Sequence, residues 1–218
     1  SGHAAQFGTL IHSLAQASAS GLDDANISTA LEAAWPALGI DSIWLAEQEK
    51  QRAVDAITNY AVWDAKESAT FATAGLEVGV DHIFTVDDLA DFGITTEDIA
   101  SVDATTVPVR VKGRIDRLER TDAGQYVIVD FKTGKTVPSK KDTQDNAQLA
   151  LYQLALSGSD KDTTPVVKAK LVYLRPRSGS LGERDQQALD ADERKRWRLA
   201  LQTAASATSG PTFHACRN

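Results

Sequence analysis

The chain has 218 residues, 42% hydrophobic and 24% charged, a balance that suits a globular fold with a sizeable core. Its formal net charge of -7 excludes a coat of positive charge for non-specific DNA binding, though not a local basic groove. One cysteine, Cys216, excludes an internal disulfide framework and fits a reducing, cytoplasmic compartment. No apolar run approaches the roughly 20 residues of a membrane span, and Ser1-Gly2-His3-Ala4-Ala5 lacks the pattern of a secretory signal.

Residues 5–19 predict a helix, with Phe7, Leu10, Ile11, Leu14 and Ala15 at helical spacing and His12 beside that stripe. A second helix is expected over 26–35, ended near Pro36-Ala37-Leu38-Gly39. Asp41-Ser42 would cap a third from Ile43 to about Ala74, with Trp44, Leu45, Val54, Ile57, Tyr60 and Ala61 on its buried side. Residues 76–86 alternate in part and read as a strand carrying Glu77. From Glu77 to Asp103 the chain holds eight acids and no Lys or Arg, which predicts a solvated surface over 87–106.

Residues 107–119 give a second strand, with Val109, Val111 and Ile115 on one face and Arg110, Lys112, Arg114 and Asp116 on the other. The polar run Thr121-Asp122-Ala123-Gly124 reads as a tight turn, and the third strand, 125–132, is apolar on both faces at Val127-Ile128-Val129, as in a central strand. A hairpin centred on Ala123 puts Asp116 directly opposite Asp130, with Lys132 on the same face as Asp130. Facing carboxylates repel; a divalent cation and a phosphate would account for two acids and a lysine on one patch. A salt-bridge network in which Lys132 and Arg114 neutralise both aspartates is the other reading.

The loop 133–141 is basic; its lysines are either phosphate contacts or a solvated loop. Gly134-Lys135-Thr136 imitates the end of a P-loop, but the position of that motif's first glycine holds Val129. A helix over 142–157 places Gln148 and Tyr152 four apart on one face, a fourth strand runs from Val166 to Leu174, and a final helix over about 185–206 carries the basic run 194–198, read as a solvated face. With no repeats and no long linker, the expectation is a single α/β domain over 1–218: a helical region 5–75, a mixed four-stranded sheet within 76–175, and the C-terminal helix.

Four stretches then stand in a telling order: Gly8-Thr9-Leu10-Ile11-His12, Gly113-Arg114-Ile115-Asp116, Asp130-Phe131-Lys132, and Gln148-Leu149-Ala150-Leu151-Tyr152. Together they resemble the PD-(D/E)XK nuclease superfamily, and more narrowly the RecB-type nuclease domains of bacterial helicase–nucleases. The resemblance implies a restriction-endonuclease-like core and hydrolysis of DNA, single-stranded by preference, to 5′-phosphate and 3′-hydroxyl ends with Mg²⁺ or Mn²⁺. By the same resemblance, His12, Asp116, Asp130 and the Phe131 carbonyl would be metal ligands, and Lys132 the catalytic lysine. Gln148 and Tyr152 would line the DNA path with Arg114, Thr133 and Lys135, and Glu77 would be an accessory acid. A helicase motor in the same polypeptide or complex would be the partner, the chain being a fragment of a larger protein in double-strand-break repair. Some relatives carry a four-cysteine iron–sulfur cluster, which one cysteine cannot build. A catalytically silent nuclease-like module, or a stand-alone exonuclease of the CRISPR-associated type, are the alternatives.

Overall fold

The computed structural model describes residues 2–40, 42–158, 164–175 and 181–208. The chain opens with helices that share one apolar layer. α1 (Gly2–Ala19) buries Phe7, Ile11, Leu14 and Ala15, one stripe at helical spacing. α2 (Asp24–Ala34) begins where the Asp23 carboxylate accepts the Asn26 amide at 2.8 Å, and buries Ile27 and Leu31. A 3₁₀ turn, Trp35–Leu38, leads to α3 (Ile43–Glu67), capped by Ser42.

The buried stripe of α3 is Ala53, Ala56, Tyr60, Trp63 and Glu67; of the side read from sequence it keeps Tyr60, with Ile57 partly buried against the core. Trp44 is 71% exposed and Val54 42%. A long amphipathic helix holds apolar residues in more than one phase. Here the small Ala53 and Ala56 join the core with α1 residues, and Tyr60 and Trp63 meet Phe131, so Val54 turns outward. The helix also ends at Glu67, earlier than expected, and β1 (Ala72–Phe84) already starts at Ala72.

After β1 come a 3₁₀ turn, Asp87–Phe92, and α4 (Thr96–Ser101), then the hairpin of β2 (Val109–Arg120) and β3 (Tyr126–Lys132). The helix expected over 142–157 is two: α5 (Lys140–Gln144) and α6 (Ala147–Ser157), with Asn146 between them capping α6 through the Leu149 amide at 3.0 Å. β4 (Val166–Tyr173), β5 (Gly182–Gln187) and α7 (Ala191–Thr208) complete the order.

The sheet has five strands, not four, in the order β1-β2-β3-β4-β5; only β3 and β4 run parallel. The fifth strand, Gly-Glu-Arg-Asp-Gln-Gln, has no apolar alternation and lies at an edge, where the sequence placed the start of the last helix. Its one fully buried side chain, Gln186, is satisfied by donating to the Thr143, Gln144 and Asn146 carbonyls at 3.0–3.2 Å. Helices flank both faces. Val127, Val129 and Phe131 of β3 join the core under α1–α3, while Tyr126 and Ile128 join the core under α6 and α7.

Two surface readings are corrected by ion pairing. Arg198, in the run expected to be solvated, is fully buried and donates to Asp88 at 3.0 Å and to the Thr85 carbonyl at 2.8 Å. Lys195 pairs with Asp98 at 2.8 Å. The acids of 77–103 therefore include the counter-charges of α7 and β2, since Asp81 holds Arg110 and Glu77 holds Arg114. Cys216 lies outside the described residues.

Candidate active site

The β2–β3 register confirms the hairpin centre: Arg117 pairs with Val129 and Leu118 with Ile128. Continuing it would set Asp116 against Asp130, but the recorded pairing stops one step short. Side-chain alternation slips at this point. Ile115 lies in the core under α6, whereas Arg117 sits over the Trp63 ring of α3 at 5.1 Å. Across the β1 pairing, Leu76 faces Arg117 and Val78 faces Ile115, which brackets Glu77 opposite Asp116. Glu77 has φ +51°, an αL backbone that a non-glycine residue rarely adopts. Such local irregularity collects at functional sites because it re-aims side chains.

The two aspartates consequently part company. Asp116 turns to α1: its Oδ1 lies 3.3 Å from His12 Nδ1, and its Oδ2 accepts the Phe131 amide at 2.7 Å. Phe131 thus serves Asp116 through its N–H, and its ring backs His12 edge-on at 6.5 Å. His12, Glu77 and Asp116 each offer a ligand atom within 4.8 Å of the others, a set that could hold a metal ion. Asp130 is not in that set.

Asp130 turns instead to α6 and is 3% exposed. Its Oδ1 accepts Gln148 Nε2 at 2.8 Å, and Oδ2 lies 2.6 Å from Lys132 Nζ. That second contact is an ion pair by distance but not a directed hydrogen bond, which leaves a buried carboxylate oxygen with unused acceptor capacity. Lys132 donates to Gln148 Oε1 at 2.8 Å, closing a ring of three side chains. Tyr152, 8% exposed, donates its hydroxyl to the Arg114 carbonyl at 2.9 Å and receives Gln148 Nε2 at 3.3 Å. Gln148 is exposed, but Tyr152 lies beneath the site, where it positions β2 and Gln148. A Cβ at Gly113 would come 2.7 Å from Tyr152 Cε1, so the Gly-Arg-Ile-Asp and Gln-x-x-x-Tyr stretches interlock physically.

Electrostatics follow the geometry. The hydrogen bond that the His12 imidazole donates to the Asp116 carboxylate raises the His12 pKa, against the opposing effect of burial. Burial pushes Asp130 up to about 6, with the Lys132 charge holding it lower than burial alone would. Of the other expected residues, Arg114 is exposed and bound to Glu77 Oε2 at 3.1 Å, while Thr133 and Lys135 lie on the loop just after Lys132. Glu77, read only as an accessory acid, becomes a full member of the metal-competent set. The resemblance singles out Glu77, but its approach to His12 and Asp116 is not legible in its strand's pattern, which is interrupted by the positive φ at this residue. The donor set itself, two carboxylates and an imidazole at a part-exposed rim, suits a divalent cation that keeps open positions.

With that geometry in place, the matching family model is decisive: it covers residues 1–218 and describes the PD-(D/E)XK nuclease superfamily. The chain belongs to the PD-(D/E)XK nuclease superfamily. Members of this superfamily are nucleases that typically use divalent metals, in keeping with the His12, Glu77 and Asp116 group. No curated protein matches the sequence. A solved structure described as "Crystal structure of SSO0001" is similar over 95% of this chain and 77% of its own, at 15% identity and a TM-score of 0.39, a likeness too low to bear on fold or function. No helix among the described residues is long and apolar enough to cross a membrane.

Proposed function

We propose that this superfamily member is a Mg²⁺- or Mn²⁺-dependent deoxyribonuclease, the RecB-type exonuclease domain of a cytoplasmic helicase–nuclease that acts on single-stranded DNA in double-strand-break repair. The observation that carries the proposal is the adjacency, within β2 and at the C-terminal end of β3, of a metal-competent trio and a lysine–carboxylate–amide ring. His12, Glu77 and Asp116 would hold the cation, while Asp130 holds Lys132. When bound, a divalent cation supplies the Lewis acidity that activates water and offsets phosphate charge. Lys132 Nζ, which donates to Gln148 and is ion-paired with Asp130, keeps N–H groups for the attacking water or a phosphate oxygen. Arg117, next to Asp116, is buried, which leaves the exposed Arg114 and Lys135 as the nearby cations for binding the phosphates on either side.

The test is direct: labelled single-stranded DNA is incubated with the protein and Mg²⁺ or Mn²⁺. Cutting by the wild type, reduced to background in Asp130→Ala and Lys132→Ala, supports the reading. Equal background cutting in all three rejects it.

A further inference from the structure

Past the C-terminal ends of the parallel pair β3 and β4 lies a second cavity of about 690 Å³. This is the end of an α/β sheet at which ligands collect. Its walls are mainly apolar, from Phe7, Leu38, Ile40 and Leu45, with Lys135 and Arg175 as cations and Glu49 as the acid. Glu49 is already engaged by Arg175 at 2.8 Å and by Arg52, so the free positive charge is that of Lys135. A mostly apolar pocket of a few hundred Å³ with a few fixed polar groups is the form of a small-molecule site.

Two details bear on its ligand. The Arg175 guanidinium lies 4.4 Å over the Phe7 ring and is pinned by Glu49, which places a flat cation in the cavity wall. Finally, Thr133 lines both this cavity and the cleft that contains His12, Glu77 and Asp116. Gly8 of α1 packs against this shared wall: a Cβ there would stand 3.4 Å from Thr133 Oγ1, at van der Waals contact.

We infer that this cavity takes an unstacked nucleobase of single-stranded DNA, one or two nucleotides from the phosphate held at the metal site. Thr133 forms a wall shared by the two, so a strand crossing over it would reach both places, and Lys135, in the lining of the apolar cavity, offers a cation to its phosphates. Paired bases cannot enter such a pocket, so the cavity selects single strands. The inference rests on the nuclease reading only for which phosphate is cut.

The experiment measures anisotropy of a fluorescein-labelled 12-nucleotide single strand in EDTA, scanning one abasic position at a time. One abasic position should weaken binding about tenfold, the scale of a lost base stack, while the others change it little. Leu45→Glu, at a residue already 40% exposed, should weaken the intact strand similarly and erase the abasic effect. Leu45→Phe should retain both affinity and the abasic effect, and Mn²⁺ binding by calorimetry should be unchanged in either variant. Equal affinity at every abasic position, together with wild-type binding by Leu45→Glu, overturns the inference. Loss of Mn²⁺ binding in Leu45→Glu also overturns it, because the cavity would then not be separate from the metal site. Absence of cutting and of metal binding in the wild type rejects the nuclease reading alone, since the abasic scan is read without metal.

Discussion

Tyr152 fills the space that a side chain at Gly113 would need: the ring carbon Cε1 stands 2.7 Å from the position of a Cβ there. The same tyrosine holds the next carbonyl, that of Arg114, so one contact on α6 sets the course of β2 into Asp116. Gly113→Ala is therefore expected to displace Tyr152 and destabilise the fold by about 1–3 kcal/mol, the usual cost of overpacking. In a double-mutant cycle with Tyr152→Ala, urea denaturation should show strong non-additivity, because the second change removes the clash created by the first. Additive effects would mean that the two residues act independently.

Gln148 is exposed, yet it touches Lys132, Asp130 and Tyr152. Gln148→Ala should leave the melting temperature nearly unchanged and lower the cleavage rate by about 10–100-fold, the range for groups that orient ligands and catalytic side chains. A rate equal to wild type would remove Gln148 from the site.

Glu77 owes its place in the metal-competent set to backbone geometry rather than to a motif. Glu77→Gln and Asp116→Asn are each expected to weaken Mn²⁺ binding by at least about tenfold in calorimetry. Glu77→Gln with wild-type affinity, alongside an Asp116→Asn variant that no longer binds, would return the third ligand position to Asp130.

Away from the site, Glu119 is fully buried beside Arg117, with Glu67 and Lys170 close enough to perturb its charge. Burial, reinforced by the Glu67 charge, pushes its pKa up to about 7 from 4.5. The folded state then binds this proton more tightly than the unfolded chain, so the contribution to stability is present below about 4.5 and is lost as pH rises through about 7. Glu119→Gln, which cannot ionise, should match the wild type near pH 4.5 and exceed it by about 1–3 kcal/mol at pH 8. Denaturant titrations at both values check this; a constant difference across the range would contradict it.

How much of this was legible in the sequence depends on whether a residue's role is local. The third strand and its terminal Asp130 and Lys132 follow from a continuous apolar run, and the hairpin centre from a polar turn, so register came out as expected. The separation of Asp116 from Asp130 did not, because strict alternation carries both to one face and a slip at Asp116 is a property of two strands together. β5 escaped because its buried residue is a glutamine whose partners are backbone carbonyls 40–43 residues earlier. The α3 stripe was misphased because two alanines, weak in hydropathy, mark the buried side. His12 was visible only through its companions; by itself it sits next to an apolar stripe like many core histidines.

Phe131, the middle residue of the Asp-x-Lys stretch, has its amide on Asp116 and its ring against Tyr60 and Trp63, while its neighbours Asp130 and Lys132 reach across to α6. The site is thereby split between two hydrophobic cores on opposite faces of the sheet, which meet at β3 and β4. Loosening the α1–α3 side would slacken the grip on the cation, whereas loosening the α6 side would release the lysine. Affinity for metal and rate of turnover thus answer to different halves of the molecule, and on warming the two need not fail at the same temperature.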